Sequence, residues 1–166
     1  TYTYYDNTAN RLESKALFVA ADENGNIYYH YMDEAIFTAT DGSIYGRMDR
    51  SKRLVLDTDG CLSHAYTYSA TLNTRVIIKI GYSDASWTTT NATYNYYDDT
   101  DNRLNSKTLV EGGITVTYIY FNDSDNRVAS KQLSPDCTND IRYDYYNDSL
   151  VRIYKTYAFD GKVFIN

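Results

Sequence analysis

The feature that most constrains the fold is a stretch of 14 residues that recurs along the chain. The sequence of residues 94–107 returns 24 residues later as 118–131, and a third copy, residues 2–15, opens the chain. In each copy an Arg follows the first Tyr by nine residues and a Lys follows it by 13. Weaker copies occupy residues 66–79 and 143–155. Such repetition indicates that the chain is built from successive copies of one small structural unit.

Each unit has the pattern of a β-hairpin. In the first copy, residues 1–5 and 11–18 alternate between two faces with the period of a strand, and a five-residue polar turn separates them. The residue before the Arg is Asn in the three best copies, at Asn10, Asn102 and Asn126. We expect a positive φ there, because Asn tolerates that backbone conformation better than any residue except Gly.

Tandem hairpins predict an all-β fold. The 166 residues hold about seven units of roughly 24 residues, so we expect a single repeat-built domain over 1–166 that folds as an antiparallel meander of tandem β-hairpins. No stretch keeps a period of about 3.6 residues, so we expect little or no helix. A ribbon of this kind leaves edge strands exposed, so the meander is expected to be completed by closure on itself or by neighbouring subunits.

The two ends of the chain are cut nearly in phase with the repeat. The last strand, residues 162–166, is therefore expected to pair with residues 1–5, either within one chain or between copies placed head to tail. A closed ring or barrel, a row of subunits and one segment of a longer array all fit this pattern. The residues expected at the contact are Thr1, Tyr2, Tyr4, Lys162, Phe164 and Asn166.

The composition excludes several classes of protein. The formal net charge is −6, with 16 Lys and Arg spread among 22 Asp and Glu, which opposes binding to nucleic acid because phosphate neutralisation needs a basic patch. No run of about 18 apolar residues exists, so we expect no membrane-spanning segment. The chain begins at Thr1 without a recognisable signal peptide, so we expect a processed chain or a piece of a longer one.

The repeat resembles a known family. A Tyr-X-Tyr followed by an acidic turn, an Arg-Leu-X-Ser segment and a Gly turn is similar to the YD repeats of Rhs proteins, insecticidal toxin shells and teneurins. The resemblance is strong over residues 1–18 and 93–133 and implies a long β-ribbon in a large secreted or cell-surface protein. Asn, Thr or Val stands before the Arg where the family usually has Gly, and seven units are too few for a toxin shell. The resemblance therefore implies a divergent surface-protein array in an extracellular or cell-surface location.

The turns supply the candidate ion and modification sites. Their carboxylates are typical of turns, and a weak Ca²⁺ site is the alternative interpretation. The Ca²⁺ candidates are Asp57, Asp59, Asp98, Asp99, Asp101, Asp123 and Asp125. Three Asn-X-Ser/Thr sequons mark Asn91, Asn122 and Asn147 as glycosylation candidates in a secreted protein.

A column of arginines runs through the repeats at Arg11, Arg75, Arg103, Arg127 and Arg152. We expect these side chains to stack on neighbouring Tyr rings and to bridge to the turn carboxylates. The functional alternative is an anionic or carbohydrate ligand bound along a ribbon of Arg and Tyr. Regular spacing favours the structural interpretation.

No catalytic arrangement is recognisable. His30 and His64 lack partners at ligand spacing, and Cys61 and Cys137 form either one disulfide or two unrelated thiols. The carboxylates are too numerous and too characteristic of turns to nominate a catalytic pair. We therefore expect no enzymatic activity, no catalytic residue and no cofactor beyond the Ca²⁺ alternative.

These observations predict a structural extracellular protein, the subunit or segment of a surface fibre assembled by end-to-end strand pairing. Its partners would be copies of itself. The alternative is a carbohydrate- or surface-binding adhesin module, a monomeric β domain that recognises glycans through its tyrosines, Trp87 and the arginine column.

Overall fold

The computed structural model describes residues 1–5, 11–17, 26–71, 74–99, 103–123, 125–134, 141–148, 150, 152–160 and 163–164. These residues form strands joined by turns. They contain no helix, and therefore no helix that could cross a membrane. The all-β prediction is confirmed. The strands are β1 (Tyr2–Tyr4), β2 (Arg11–Ala16), β3 (Asn26–Tyr31), β4 (Phe37–Thr38), β5 (Ile44–Tyr45), β6 (Met48–Arg53), β7 (Ser63–Tyr68), β8 (Val76–Tyr82), β9 (Thr90–Tyr96), β10 (Leu104–Glu111), β11 (Ile114–Tyr120), β12 (Val128–Ser134), β13 (Ile141–Tyr145), β14 (Ile153–Asp160) and β15 (Val163–Phe164).

The chain divides into two compact units. The first unit comprises Thr1–Thr67 and Lys79–Asn91. Its strands hydrogen-bond in the order β7-β6-β3-β2-β5-β4, and β1 pairs with β2. The β2–β5 pair is parallel, and every other pairing between these strands is antiparallel.

The second unit comprises Tyr68–Ile78 and Ala92–Asn166. Its strands follow chain order, β9-β10-β11-β12-β13-β14-β15, and all of these neighbours are antiparallel. This is the predicted meander of hairpins. The expectation that residues 1–166 form one domain stays a prediction.

The repeat copies share one strand register. The first Tyr of each of the three best copies pairs with the Lys at its end, as Tyr2–Lys15, Tyr94–Lys107 and Tyr118–Lys131. Two residues later the register shifts by one at a β-bulge, which leaves one residue of the returning strand without a direct partner. The pairs after the shift are Tyr4–Leu12, Tyr96–Leu104, Tyr120–Val128 and Tyr145–Ile153.

One backbone hydrogen bond closes the turn of every copy. The backbone N–H three residues after the first Tyr of the copy donates to the carbonyl of the repeated Arg. The Arg therefore marks the start of the returning strand. These bonds are Tyr5–Arg11, Ser69–Arg75, Tyr97–Arg103, Phe121–Arg127 and Tyr146–Arg152, at 2.8–2.9 Å. The bond is kept in the copy whose turn has lost its acidic residues.

The residue before the Arg adopts the predicted backbone conformation in the copy where it is described. Asn126 has φ of +50°, in the left-handed region that Asn tolerates. Its side-chain oxygen also accepts a hydrogen bond from the backbone N–H of Leu104 at 2.7 Å, so the turn of one hairpin is tied to the preceding one. Asn10 and Asn102 lie outside the described residues.

Candidate functional site

The strands nearest the two chain termini, β1 and β15, are the first candidate site. Among the described strands, β1 has β2 as its one partner and β15 has β14 as its one partner. Thr1, Tyr2 and Tyr4 therefore lie in or beside an edge strand, and Phe164 lies in another. Lys162 and Asn166 are outside the described residues. Within the described residues, β1 and β15 thus each have one side without a partner strand.

Tyr side chains at equivalent repeat positions differ in exposure between the end and the interior. Tyr94 and Tyr120 are 6% and 8% exposed. Their counterparts in the first copy, Tyr2 and Tyr4, are 51% and 45% exposed. The remaining counterparts in those two copies, Tyr96 and Tyr118, are half-buried. Tyr2 and Tyr4 are therefore more exposed at the end of the array than their counterparts are in the interior copies.

The arginine column makes the contacts expected of a structural role. Arg127 donates to Asp123 at 2.7 Å, Arg152 donates to Asp148 at 2.5 Å, and Arg103 donates to Asp99. The Arg103 guanidinium lies 5.3 Å from the centroid of the Tyr97 ring, and the Arg152 guanidinium lies 5.0 Å from that of Tyr146. Bridging to the turn carboxylate is confirmed for these three turns, and stacking on a ring is confirmed for the turns of Arg103 and Arg152.

The same contacts account for three of the seven Ca²⁺ candidates, and a fourth, Asp98, is exposed in the turn after β9. Asp99 and Asp123 face Arg guanidinium groups, and Asp125 lies 3.9 Å from Arg127. Arg127 and backbone N–H groups hold the pKa of Asp123 below its usual range, against an opposing effect of desolvation. This arrangement supports the turn interpretation. Asp101 lies outside the described residues, and Asp57 and Asp59 belong to the cluster described below.

The three sequon asparagines lie in different surroundings. Asn122 and Asn147 are exposed in the turns that follow β11 and β13, as expected for an accessible sequon. Asn91 lies within β9, and its side-chain amide donates to the carbonyl of Asp59 at 2.7 Å. A glycan on Asn91 would have to replace that hydrogen bond, so the structure disfavours this position relative to the other two.

A tyrosine-lined cavity of about 320 Å³ opens in the first unit. Its aromatic walls are Tyr2, Tyr31 and Tyr45, and the ring centroids of Tyr31 and Tyr45 are 5.2 Å apart. Lys15 and Asp41 supply charged groups at the lining. Aromatic faces beside a few polar groups are typical of small-ligand sites.

A cluster of three potential metal ligands lies at the turn before β7. The ligand atoms of Asp57, Cys61 and His64 all lie within 4.8 Å of one another. His64 Nε2 is 3.0 Å from Asp57 Oδ2. Cys61 is fully buried and His64 is 1% exposed, and the Cys61 thiol is free. Cys137 lies outside the described residues.

Burial sets the protonation of this cluster. It raises the pKa of Cys61 to about 11 and lowers the pKa of His64 to about 4, so at neutral pH the thiol keeps its proton and the imidazole is neutral. Burial also lowers the pKa of Lys79, whose ammonium group interacts with Asp57, Cys61 and Asp59. A fully buried protonated thiol cannot reach a substrate, so the cluster offers no accessible nucleophile.

The sequence indicated no partners at ligand spacing for His30 and His64, and in the structure each histidine contacts a carboxylate. His30 contacts Asp49, and His64 contacts Asp57. The spacing Asp57-X3-Cys61-X2-His64 is visible in the sequence and carries the missed signal. The spacing of Cys61 and Cys137 does not indicate this cluster, because the turn brings Cys61 to an Asp and a His close to it in the chain.

Trp87 covers part of the same region. Its indole N–H donates to the backbone carbonyl of His64 at 3.1 Å. The ammonium of Lys52 lies 4.4 Å from the centroid of the Trp87 ring, and the guanidinium of Arg50 lies 5.4 Å from it. Trp87 is half-buried against these groups. Its indole therefore packs on its own unit and does not project as a contact residue.

Comparison with models of known protein families finds none that matches this chain. No curated protein matches it either. The resemblance to YD repeats stays a prediction from the sequence.

Proposed function

We propose that this chain is a structural extracellular repeat protein, the subunit or segment of a surface fibre in which copies join end to end by β-strand pairing. The observation that carries the proposal is the exposure of Tyr2 and Tyr4, whose counterparts Tyr94 and Tyr120 are buried inside the array. An array that ends in this way has an incomplete unit. A second copy could complete it with the strands that complete the interior units.

The backbone of β1 supports such a contact. Thr1 exchanges both backbone hydrogen bonds with Ala16, at 2.9 and 2.8 Å, and the Tyr5 N–H donates to Arg11. Because the direction of these groups alternates along an antiparallel strand, those of Tyr2 and Tyr4 point away from β2. They are the groups that an added strand from β15 of another copy would use. The contact joins unlike surfaces of two copies. It therefore propagates into a filament, unless the rotation that relates neighbouring copies closes the assembly into a ring.

The test is a proline that blocks the outer edge of β1. Tyr4→Pro removes the outward N–H while leaving the Thr1 and Tyr5 hydrogen bonds to β2. Tyr4→Val is the matched control, because it removes the same ring and keeps the N–H. We expect the wild type and Tyr4→Val to assemble, and Tyr4→Pro to remain monomeric in light scattering and negative-stain microscopy.

Two results oppose the proposal. A wild-type chain that stays monomeric at high concentration would show that the edges do not pair between copies. Assembly of Tyr4→Pro to the same extent as Tyr4→Val would show that the contact lies elsewhere.

The tyrosine-lined cavity favours a second candidate function, a monomeric carbohydrate-binding adhesin module. Sugars bind to aromatic faces flanked by hydrogen-bonding groups, and Tyr31 and Tyr45 together with Asp41 offer that combination. In this case the wild-type chain is a monomer whose melting temperature rises with a glycan ligand. Tyr45→Ala should abolish that rise, and Tyr4→Pro, which lies outside the cavity, should leave it unchanged.

A further inference from the structure

We propose that Asp57, Cys61 and His64 bind one Zn²⁺ ion. Their ligand atoms converge within 4.8 Å in the first unit. A thiolate, an imidazole and a carboxylate are donors that Zn²⁺ accepts, in contrast to the all-oxygen sets that suit Ca²⁺. None of these three residues takes part in the proposed assembly contact. The metal-site proposal can therefore be tested independently of the proposed function.

The separations suit a tetrahedral ion after a small contraction. Zn–O, Zn–N and Zn–S bonds of about 2.0–2.3 Å place neighbouring ligand atoms roughly 3.5 Å apart. The His64 Nε2 to Asp57 Oδ2 distance is already 3.0 Å, and the remaining pairs lie within 4.8 Å. The carbonyl oxygen of Asp59 lies 3.7 Å from Cys61 Sγ and is a candidate for the fourth ligand.

Hydrogen bonds around the cluster hold the ligands in place. Asp57 Oδ1 accepts the N–H groups of Asp59 at 3.0 Å and Cys61 at 2.9 Å, which leaves Oδ2 turned toward His64. The Asn91 amide holds the Asp59 carbonyl at 2.7 Å. Fixing a ligand through its second oxygen or through its neighbours is characteristic of metal sites.

Gly81 closes the cluster from the neighbouring strand. A Cβ atom at this position would lie 2.5 Å from Cys61 Sγ and 3.4 Å from His64 Cδ2. The absence of a side chain therefore lets the backbone of β8 approach the thiol and the imidazole directly. This close backbone keeps water away from the ligand atoms, which strengthens their attraction for a cation.

Binding of the ion is coupled to loss of the thiol proton. The carboxylates of Asp57 and Asp59 and the cations of Lys79 and Arg53 act on this cluster, so these four charges sum to zero. Binding forms the Zn–S bond and releases the Cys61 thiol proton to solvent, so it adds a net charge of +1. The measurable consequence is the release of one proton for each ion bound.

The experiment uses the untagged full chain carrying Cys137→Ser, so that Cys61 is the single thiol. Chelator-treated protein is titrated with ZnCl₂ in the calorimeter, and with CoCl₂ while the absorption spectrum is recorded. We expect one Zn²⁺ per chain, release of about one proton, a rise in melting temperature and a thiolate-to-cobalt absorption band. Cys61→Ser should abolish the band and weaken Zn²⁺ binding at least about tenfold.

Matched controls separate the site from general effects. His64→Gln should weaken Zn²⁺ binding, whereas His30→Gln, at a histidine paired with Asp49 outside the cluster, should leave it unchanged. X-ray absorption on the Cys137→Ser protein loaded with Zn²⁺ requires no further variant and should show one sulfur among nitrogen and oxygen ligands. No saturable binding, no sulfur ligand, or a cobalt band that survives in Cys61→Ser would each overturn the proposal.

Discussion

At the scale of single residues, Asp84 holds the loop that carries the only tryptophan. Trp87 has φ of +58°, a left-handed conformation that a non-Gly residue adopts at a cost. The Asp84 carboxylate offsets that cost by accepting the N–H groups of Ser86 at 2.7 Å, Thr88 at 3.2 Å and Thr89 at 2.6 Å. One charged side chain thus organises the loop around the tryptophan.

This arrangement predicts a pH-dependent loop. Partial desolvation pushes the pKa of Asp84 upward, but the hydrogen bonds from Thr89, Thr88 and Ser86 hold it well below its usual range. A lowered folded pKa contributes stability above the unfolded value of about 4, and this contribution is lost as the pH falls through the folded pKa. The melting temperature, followed by Trp87 emission, should therefore exceed that of Asp84→Asn at pH 7, and the difference should shrink below about pH 4.

Asp84→Asn is the proper reference because both proteins share every other acidic group. Titration of the remaining carboxylates cancels when the two melting temperatures are subtracted at each pH. An equal difference at pH 7 and pH 3 would mean that the Asp84 charge does not stabilise the loop.

At the scale of elements, the hairpin was predictable and the environment of its residues was not. The Tyr-to-Lys spacing correctly predicted paired strands with a turn between them, because period-two alternation and turn-forming residues are local properties. The register shift and the turn-closing bond to Arg follow from the same spacing. The short spacing of Asp57, Cys61 and His64 is visible in the sequence, but the convergence of their ligand atoms depends on how the turn before β7 folds back on itself.

The exposed tyrosines are a similar case. Tyr4 and Tyr120 occupy the same repeat position, so sequence pattern alone cannot distinguish their burial. Burial depends on whether another hairpin lies alongside, and that is a property of the array. Arg–Asp pairing, in contrast, was predictable because both groups belong to a single turn, as for Arg127 and Asp123.

The Asn126 turn allows backbone strain to be measured separately from a hydrogen bond. Asn126→Ala and Asn126→Gly both remove the bond to the Leu104 N–H, but only Ala places a Cβ on a backbone with φ of +50°. We expect both variants to be less stable than the wild type in urea unfolding, with Ala worse than Gly by about 1 kcal/mol. Equal stability of the two variants would show that the turn relaxes out of the left-handed conformation.

At the scale of the whole molecule, the proposed assembly has a direction, so a copy that is blocked at one edge strand should stop its growth at one end. Each copy would offer β1 to one neighbour and β15 to another, so a copy with a blocked β1 can still join through β15. Tyr4→Pro should therefore act as a chain terminator when mixed with the wild type. A contact between like surfaces would behave differently, because a blocked copy would then fail to join at all.

We expect the mean filament length to fall steeply as the fraction of Tyr4→Pro rises, because each incorporated copy stops growth at one end. If rings form instead, the same mixture should yield open arcs with no more than one blocked copy each. Tyr4→Val mixed in the same proportions should leave the lengths unchanged, since it keeps the outward N–H. Negative-stain length distributions measure this directly, and equal distributions for the Pro and Val mixtures would exclude directional pairing through β1.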